Sequence, residues 1–493
     1  MKRNLPIFAL LLVGLAGCTY NTLPEDVVPS VVTMEQGFDL NLSTRAEVFD
    51  GKQLDSEYFV AEQDLESYLT YKQQHSGKKI TVKNCTPYGF DGGHTLFYVL
   101  NYADGWEVVS ADKRTQATLA YGDGSRTFSM GADNTNEAEK FWMELLASDV
   151  LQKRQRTHST RSAEGESLVA DEEEQSNVAF WNRVCNGSTR VIEVGSTSDL
   201  SSPNTVYYVL GSTIDTLTTE KGPLLQTSWG QGYPWNAKCP LKSNSDVVRA
   251  PAGCAAVATA QLLYYLQQNV YRDLQIPIDV STMGNINNYT MVFSNTYSHS
   301  IWGAMALDED AENWDGGPID LVAVLLAWLG DRLPISYGNN ESSAALSLIP
   351  LFLRREYHIG TITKYYLFND IQYQIIDRNR PVILCAERRL YQYIYEEIYQ
   401  SHAWIADGIR NIQRVDTVYY LVVDNALSNE ELTQYTIEDA THLIKYRLDD
   451  FYLHMNWGWD GINDGYYSTT PSSWDGYQYG PCMVVGFTKI VGL

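Results

Sequence analysis

One cysteine of the chain, Cys254, stands where a helix should begin and could act as a nucleophile. Pro251 fixes φ for a helix start, and Gly253 leaves the backbone open to a ligand. Residues 255–260 are all small or β-branched and predict a helix that packs closely. Unpaired N–H groups and the dipole at a helix start favour an anion, so the sequence predicts a lowered thiol pKa and an oxyanion site. A small buried cysteine on an alanine-rich helix is the ordinary alternative.

A thiolate nucleophile needs a base, usually a histidine, and the chain has eight histidines. His402 immediately precedes an apolar strand, residues 403–406, and a strand end would hold an imidazole firmly at a cleft between two parts of a domain. His454 is the rival, within the aromatic segment 452–459. Position in the sequence does not choose between the two.

Two further motifs carry polar side chains that would complete such a site. Asn456 is followed by Trp457, and in papain-type enzymes an asparagine amide orients the imidazolium while an indole can shield it from water. Gln231, in the Trp-Gly-Gln-Gly segment 229–232, could donate an amide N–H to an oxyanion beside the backbone of Cys254. Taken singly, each motif is better explained by ordinary structure: an aromatic strand end followed by a turn for Asn456 and Trp457, and a polar turn for Gln231.

The order of the four motifs resembles the streptopain family of papain-like cysteine peptidases. The matching segments are 224–236, 252–261, 337–338, 381–383, 401–403 and 456–459. The roles that the resemblance implies are Cys254 as nucleophile, His402 as base and acid, Gln231 with the Cys254 N–H as oxyanion hole, and Asn456 or Trp457 as the group that orients the His402 ring. It also assigns His454 to a strand of the family's sheet.

An upstream module also resembles this family. Residues 105–114 and 119–122 are similar to its inhibitory propeptide, which implies a zymogen that stays inactive until a linker is cut. The linker, from about 152 to 218, and the stretch 387–401 are longer than the family pattern.

The fold class predicted for the chain is α+β. Downstream of residue 219, helical patterns come first and strands follow, which favours a papain-like peptidase domain with a helical part and an antiparallel sheet part. Upstream, a helical pattern over 57–71, a hairpin over 95–110 and a second helical pattern over 137–151 predict a small α+β propeptide domain.

The first residues read as an export signal. A basic start at Lys2 and Arg3 precedes the apolar run 5–15, and Leu-Ala-Gly-Cys18 resembles the bacterial lipoprotein box, in which the cysteine is lipidated. A plain signal peptide with a chance cysteine is the alternative. The predicted segments are 1–17 signal peptide, 18–42 tether, 43–152 propeptide domain, 153–218 linker with the maturation cleavage, and 219–493 peptidase domain. The expected location is the cell envelope, at the periplasm or the cell surface.

The composition of the chain limits the classes of partner that the protein is expected to bind. The formal net charge of −24 argues against nucleic acid and against a polybasic membrane patch. Apart from Cys18 the chain has six cysteines, and their spacing shows neither a disulfide framework nor a metal-binding pattern. We therefore expect no cofactor and no metal. The expected partners are protein or peptide substrates, the chain's own propeptide, and a membrane through the lipid on Cys18. Two alternative functions remain open at this point: transglutaminase-like or amidase chemistry on the same dyad, and a non-catalytic lipoprotein that binds polymers through its 34 Tyr and 12 Trp.

Overall fold

The structure is a computed structural model of the chain. It describes residues 48–49, 52–53, 58–89, 95–124, 127–128, 139, 142–143, 145–147, 149–151, 153–154, 170–186, 206–274, 302–314, 317–392, 397–423, 427–469 and 482–489. The predicted signal peptide, Cys18 and the predicted tether lie outside the described residues.

The helices and strands fall into two groups along the chain, one before and one after residue 200. The α-helices are α1 (Glu62–Ser76), α2 (Ala170–Asn186), α3 (Cys254–Asn269), α4 (Pro318–Arg332), α5 (Leu348–Tyr357), α6 (Phe368–Gln372) and α7 (Asn429–Leu432), with a π-helical turn at Tyr373–Asp377 and a 3-10 turn at Ile437–Asp439. The strands are β1 (Val48–Phe49), β2 (Lys52–Gln53), β3 (Val82–Tyr88), β4 (Phe97–Tyr102), β5 (Gly105–Ser110), β6 (Thr118–Asp123), β7 (Val206–Lys221), β8 (Ser336–Tyr337), β9 (Ser342–Ser343), β10 (Ile359–Tyr365), β11 (Val382–Gln392), β12 (Glu397–Val423), β13 (His442–Asn456), β14 (Gly465–Ser468) and β15 (Cys482–Lys489).

One large antiparallel sheet runs through both groups. Its strand order is β10-β15-β11-β12-β13-β14-β6-β5-β4-β3, and β7 pairs with β12 outside this path. The first part of β12 pairs with β11 and its second part with β7, while β13 lies along its other edge. The two groups meet where β14 pairs with β6, with Tyr466 opposite Tyr121 and Tyr467 opposite Ala120. The N-terminal module therefore extends the sheet of the C-terminal one.

The centre of this sheet is buried on both faces. On β11 and β12, Ile383 and Ile405 share one core with helices α3, α4 and α5. The neighbouring residues Leu384 and Trp404 point the other way, into a second core that contains Trp142 of the N-terminal module. Because side chains alternate along a strand, these apolar runs pack the helices on one face and the module on the other.

The predicted fold class is confirmed: the chain is α+β, with helices before the antiparallel sheet in its C-terminal part. The predicted domain boundaries stay predictions. Within the predicted linker 153–218 the structure places α2 and most of β7. The acidic run of this region lies in the first turns of α2, where the helix dipole favours negative charge, and the later Trp181 is buried against Tyr68 of the N-terminal module.

Two cysteines occupy paired positions on neighbouring strands of the sheet. Cys385 is disulfide-bonded, and its Cα lies opposite that of Cys482 where β11 pairs with β15. The spacing of the cysteines in the sequence shows no disulfide framework. Two residues this far apart in the sequence become neighbours only through the pairing of strands. Among the described residues, Cys85, Cys185, Cys239 and Cys254 are not disulfide-bonded.

A buried carboxylate lies within the N-terminal module. Glu107 on β5 is 1% exposed, and its two oxygens accept hydrogen bonds from the hydroxyls of Tyr68, Thr118 and Tyr102 at 2.7 Å each and from Lys72 Nζ at 2.5 Å. Burial alone raises the pKa of the Glu107 carboxyl, but the Lys72 charge and the hydrogen bonds outweigh it and hold the pKa below its usual range.

We predict that Glu107→Gln destabilises the module at neutral pH by roughly 3 kcal/mol, because it leaves Lys72 facing a neutral partner in a buried network. Since the folded pKa of Glu107 is depressed, its contribution is fully present above the unfolded pKa and is lost as pH falls through the folded pKa. Urea titrations of the full chain at a series of pH values should therefore show the wild type and Glu107→Gln converging below about pH 4. Removing the exposed Glu438 charge by Glu438→Gln serves as control. A gap that stays constant down to pH 2 would contradict this assignment.

Candidate active site

Helix α3 begins at the predicted nucleophile. Gly253 caps it with φ +93°, and a Cβ there would lie 3.0 Å from Ile335 Cδ1 and 3.2 Å from the Ser342 carbonyl oxygen. Both the left-handed φ and the crowding therefore require glycine at this position. Cys254 is the first residue of the helix and is 9% exposed. As predicted, it stands in the first turn, where backbone N–H groups have no partner within the helix.

The pKa of the Cys254 thiol is raised, not lowered as the sequence predicts. Burial is the largest cause, since it disfavours the thiolate, and the carboxylate of Glu341 adds to it. Hydrogen bonds from the backbone N–H groups of Ala403, Ala255 and Cys254 itself act in the opposite direction. The helix-start effect is thus present, but desolvation of the sulfur exceeds it.

The contact with Ala403 brings the strand that carries the predicted base to the predicted nucleophile. His402 precedes Ala403 on β12, and its ring Nε2 is buried. The expectation that His402 ends a strand is wrong, because β12 begins at Glu397 and His402 pairs in register with Ala386 of β11. The hydrogen bond to sulfur therefore joins the start of α3 to the interior of a strand.

The rival histidine has a structural partner. His454 Nδ1 lies 2.6 Å from Asp407 Oδ1, and Asp407 is fully buried and also accepts a hydrogen bond from the Leu225 N–H. Burial opposes the charge on His454, but the Asp407 carboxylate outweighs it and raises the pKa. His454 lies on β13, opposite Gly408 of β12. Gly408 follows His402 by six residues, which places it about 20 Å farther along β12. The structure does not bring His454 to Cys254.

Gln231 lies next to the start of α3. Its carbonyl oxygen accepts a hydrogen bond of 2.9 Å from the N–H of Ala252, two residues before Cys254. Gln231 is 8% exposed, and the indole N–H of the nearby Trp229 donates to the carbonyl of Ala306 at 2.7 Å. The Trp-Gly-Gln residues 229–231 are therefore bonded to the residues just before Cys254, and an oxyanion-hole role for Gln231 requires such a position.

Asn456 and Trp457 take different places. Asn456 ends β13 opposite Ile405, and among the described residues its carboxamide makes no hydrogen bond to His402. The Trp457 ring packs 5.5 Å from that of Trp404, which shares a face of β12 with His402 by strand alternation. Trp457 is 1% exposed. Of these two side chains, the Trp457 indole is therefore better placed than the Asn456 carboxamide to lie beside the His402 ring.

A buried glutamine that carries no role in the sequence prediction joins these segments. Gln261 lies on α3, is fully buried, and bonds both Asn456 and the Thr227–Trp229 segment. The loop after Asn456 also rests on α3, since Gly458, at φ +72°, would place a Cβ 3.0 Å from Val257 Cγ1. A glutamine between Ala260 and Leu262, in the apolar first half of the helix, is the signal that could have pointed to this position.

Other functional features were sought within the described part of the chain. Its residues form no group of three or more His, Cys, Asp or Glu side chains that could hold a metal ion. None of its helices combines the length and the apolar character that crossing a membrane requires.

Comparisons with known proteins bear on the same region. Residues 229–467 match the sequence model of the peptidase C10 family, and this range includes all four motifs. Two solved structures are similar in part. A Prevotella intermedia prointerpain A fragment with a Cys-to-Ala substitution is 18% identical, with 84% of this chain and 100% of that chain covered and a TM-score of 0.45. The active wild-type Prevotella intermedia interpain A cysteine protease is 21% identical, with 54% and 94% covered and a TM-score of 0.33. No curated protein matches the chain.

Proposed function

We propose that this chain is a secreted, lipid-anchored cysteine endopeptidase made as a zymogen. The match of residues 229–467 to the peptidase C10 family supports the cysteine-type peptidase activity. The observation that carries the catalytic assignment is the hydrogen bond from the Ala403 N–H to the Cys254 sulfur, because it brings the strand of His402 to the start of α3. Gln231 also lies next to this helix start, because its carbonyl oxygen accepts a hydrogen bond from the Ala252 N–H.

The proposed reaction is hydrolysis of a peptide bond in two stages. His402 takes the thiol proton, and the Cys254 sulfur attacks the scissile carbonyl carbon. The oxyanion accepts hydrogen bonds from the Cys254 N–H and the Gln231 side chain. His402 then protonates the leaving amine, and a thioester remains on Cys254. Water, deprotonated by His402, hydrolyses this thioester and restores the thiol.

The raised pKa of Cys254 fits a form of the enzyme that is not yet active. At neutral pH a buried thiol with a raised pKa is protonated, so little nucleophilic thiolate is present. The N-terminal module packs on the other face of the strand that carries His402: its Trp142 ring lies 6.4 Å from that of Trp404, two residues after His402. We infer that the module acts as the inhibitory propeptide and that it must leave before substrate can bind.

Besides the shared apolar core, the module is attached through contacts around its last strand, β6. Tyr121 of β6 stacks on Tyr466 with ring centroids 5.4 Å apart, and its hydroxyl accepts a hydrogen bond of 2.7 Å from Arg410. Arg410 also pairs with Glu220 at 2.7 Å. A single side chain of the module thus completes a cluster that the C-terminal part already contains.

The proposal of a lipid anchor rests on the Leu-Ala-Gly-Cys18 sequence after an apolar run with a basic start. It implies a place in the cell envelope, at the periplasm or the cell surface. Cleavage downstream of the module would then release the mature peptidase from the anchor.

We predict that Cys254→Ala abolishes self-processing, with a rate lowered on the order of 10⁴-fold or more, because the nucleophile is lost. Mass spectrometry of the purified precursor over time should show conversion to a shorter species for the wild type and an intact chain for Cys254→Ala. Cys239→Ala is the matched control: this thiol is also buried, with a pKa raised to about 12, and lies outside the proposed machinery. Normal processing of Cys254→Ala would sink the catalytic assignment.

We predict that Tyr121→Phe speeds release of the module. It removes the hydroxyl that Arg410 bonds but keeps the ring, and a hydrogen bond to a charged group contributes about 1.5–3 kcal/mol. Self-processing of the full chain should therefore quicken by roughly tenfold or more. Tyr98→Phe makes the same change at a bond to the Val60 carbonyl within the module and should have a smaller effect. Equal rates for Tyr121→Phe and the wild type would show that this contact does not hold the module in place.

We predict that Cys18→Ser moves the precursor from the membrane fraction to the soluble fraction and removes labelling by a radioactive fatty acid, because the serine cannot form the thioether to lipid. Cys239→Ala should keep both. Fatty-acid labelling that persists in Cys18→Ser would contradict the anchor.

A further inference from the structure

We propose that Gln261 is a positioning residue: through its side-chain amide it holds the oxyanion loop, residues 227–231, against the start of α3. The inference rests on the proposed function and assigns a role to a side chain that does not itself reach the reacting atoms. It concerns how Gln231 is kept in place, not what Gln231 does.

Gln261 lies on the same side of α3 as the nucleophile. It follows Cys254 by seven positions, and at about 100° per residue this is only about 20° short of two full turns. The side chain is fully buried in a helix whose neighbouring residues are apolar. A buried carboxamide costs stability unless its hydrogen-bonding groups are satisfied, so its partners define what the position is for.

The partners of Gln261 come from two of the four motifs. Its Oε1 accepts hydrogen bonds from Thr227 Oγ1 at 2.8 Å and from the Trp229 N–H at 3.4 Å. Its Nε2 donates to Asn456 Oδ1 at 2.9 Å. One side chain of the helix therefore bonds both the segment that carries Gln231 and the end of β13.

Asn456 closes this set of bonds into a ring. Its Nδ2 donates to the carbonyl of Thr227 at 2.8 Å, and its Oδ1 also accepts from the Gly458 N–H at 3.2 Å. Gln261, Asn456 and Thr227 are thus linked each to each, and all three are at most 4% exposed. In a closed buried network each bond fixes the orientation of the next, so both amides can adopt only one orientation.

The ring fixes one end of the oxyanion loop, and the bond from Ala252 to the Gln231 carbonyl fixes the other. An oxyanion donor must lie about 2.7–3.1 Å from the developing charge, so a loop displaced by even 1 Å loses most of its effect. The geometry therefore assigns to Asn456 a part in supporting the loop, in place of a bond to the imidazole.

The test compares two reactions of Cys254 in Gln261→Met, a change that keeps length and removes the amide. Hydrolysis of a peptide amide needs the oxyanion hole, whereas alkylation by iodoacetamide needs only the thiolate. With material whose linker is cut by trypsin, we expect kcat for a peptide amide to fall roughly 10- to 100-fold, since the loss of one oxyanion donor costs about 100-fold or more. We expect KM to change little. The alkylation rate and its pH profile should stay within about twofold of the wild type.

Two further variants make the result specific. Gln267→Met makes the same change at another fully buried glutamine of α3, which bonds the Arg272 carbonyl, and should leave kcat near the wild-type value. Thr227→Val keeps the shape and removes one donor to Gln261, so it should lower kcat in the same direction, and the double variant should lose less than the two single losses combined.

Each outcome is informative. An unchanged kcat in Gln261→Met, or a parallel loss of alkylation, would overturn the positioning role; the second result would mean that Gln261 supports the dyad or the fold as a whole. Equal losses in Gln267→Met would show a general effect of helix stability. Wild-type protein that hydrolyses no peptide would contradict the proposed function itself and remove the basis of this inference, so the two failures are distinguishable.

Discussion

The hydrogen bond between the Ala403 N–H and the Cys254 sulfur joins the two halves of the site. It requires a helix that begins at the cysteine and a strand that passes its first turn in a fixed register. Gly253 supplies the helix start, because only a residue without a side chain fits beside Ile335 with a positive φ. The register of β12 against β11 supplies the strand. Loss of either would separate the sulfur from the segment of His402.

The same strand also couples the site to the N-terminal module. Along β12, Ala403 and Ile405 contribute to the core beneath the helices, while Trp404 and Ala406 contribute to the core shared with the module. Changes in module packing thus act on the backbone that carries the predicted base, with no long pathway between them. The burial that raises the Cys254 pKa comes from the core that Cys254 shares with Ala403 and the helices, on the opposite face of the strand from the module.

The sequence predicted the parts of the site that depend on local chemistry and on order along the chain. The helix start at Cys254 and the α+β class followed from residue types and spacing, and the place of Gln231 beside Cys254 followed from the resemblance to the streptopain family. The direction of the Cys254 pKa did not, because burial depends on what packs over the sulfur, and no local pattern contains that. The partner of His454 was equally hidden: Asp407 comes 47 positions earlier and meets it only through the pairing of β12 with β13. The same holds for Cys385 and Cys482, and for Gln261, whose partners lie 34 and 195 positions away.

The spacing between Cys254 and Gln261 sets a limit on how α3 can vary. The side chains between them are small and pack in an apolar core, so one apolar residue can replace another of similar volume. The number of residues between them cannot change, because one inserted or deleted residue rotates everything beyond it by about 100° and moves it by 1.5 Å along the axis. The carboxamide would then point away from Thr227 and Asn456 while the thiol kept its place. The residue types of α3 between Cys254 and Gln261 can therefore vary, whereas the number of residues between them must stay constant.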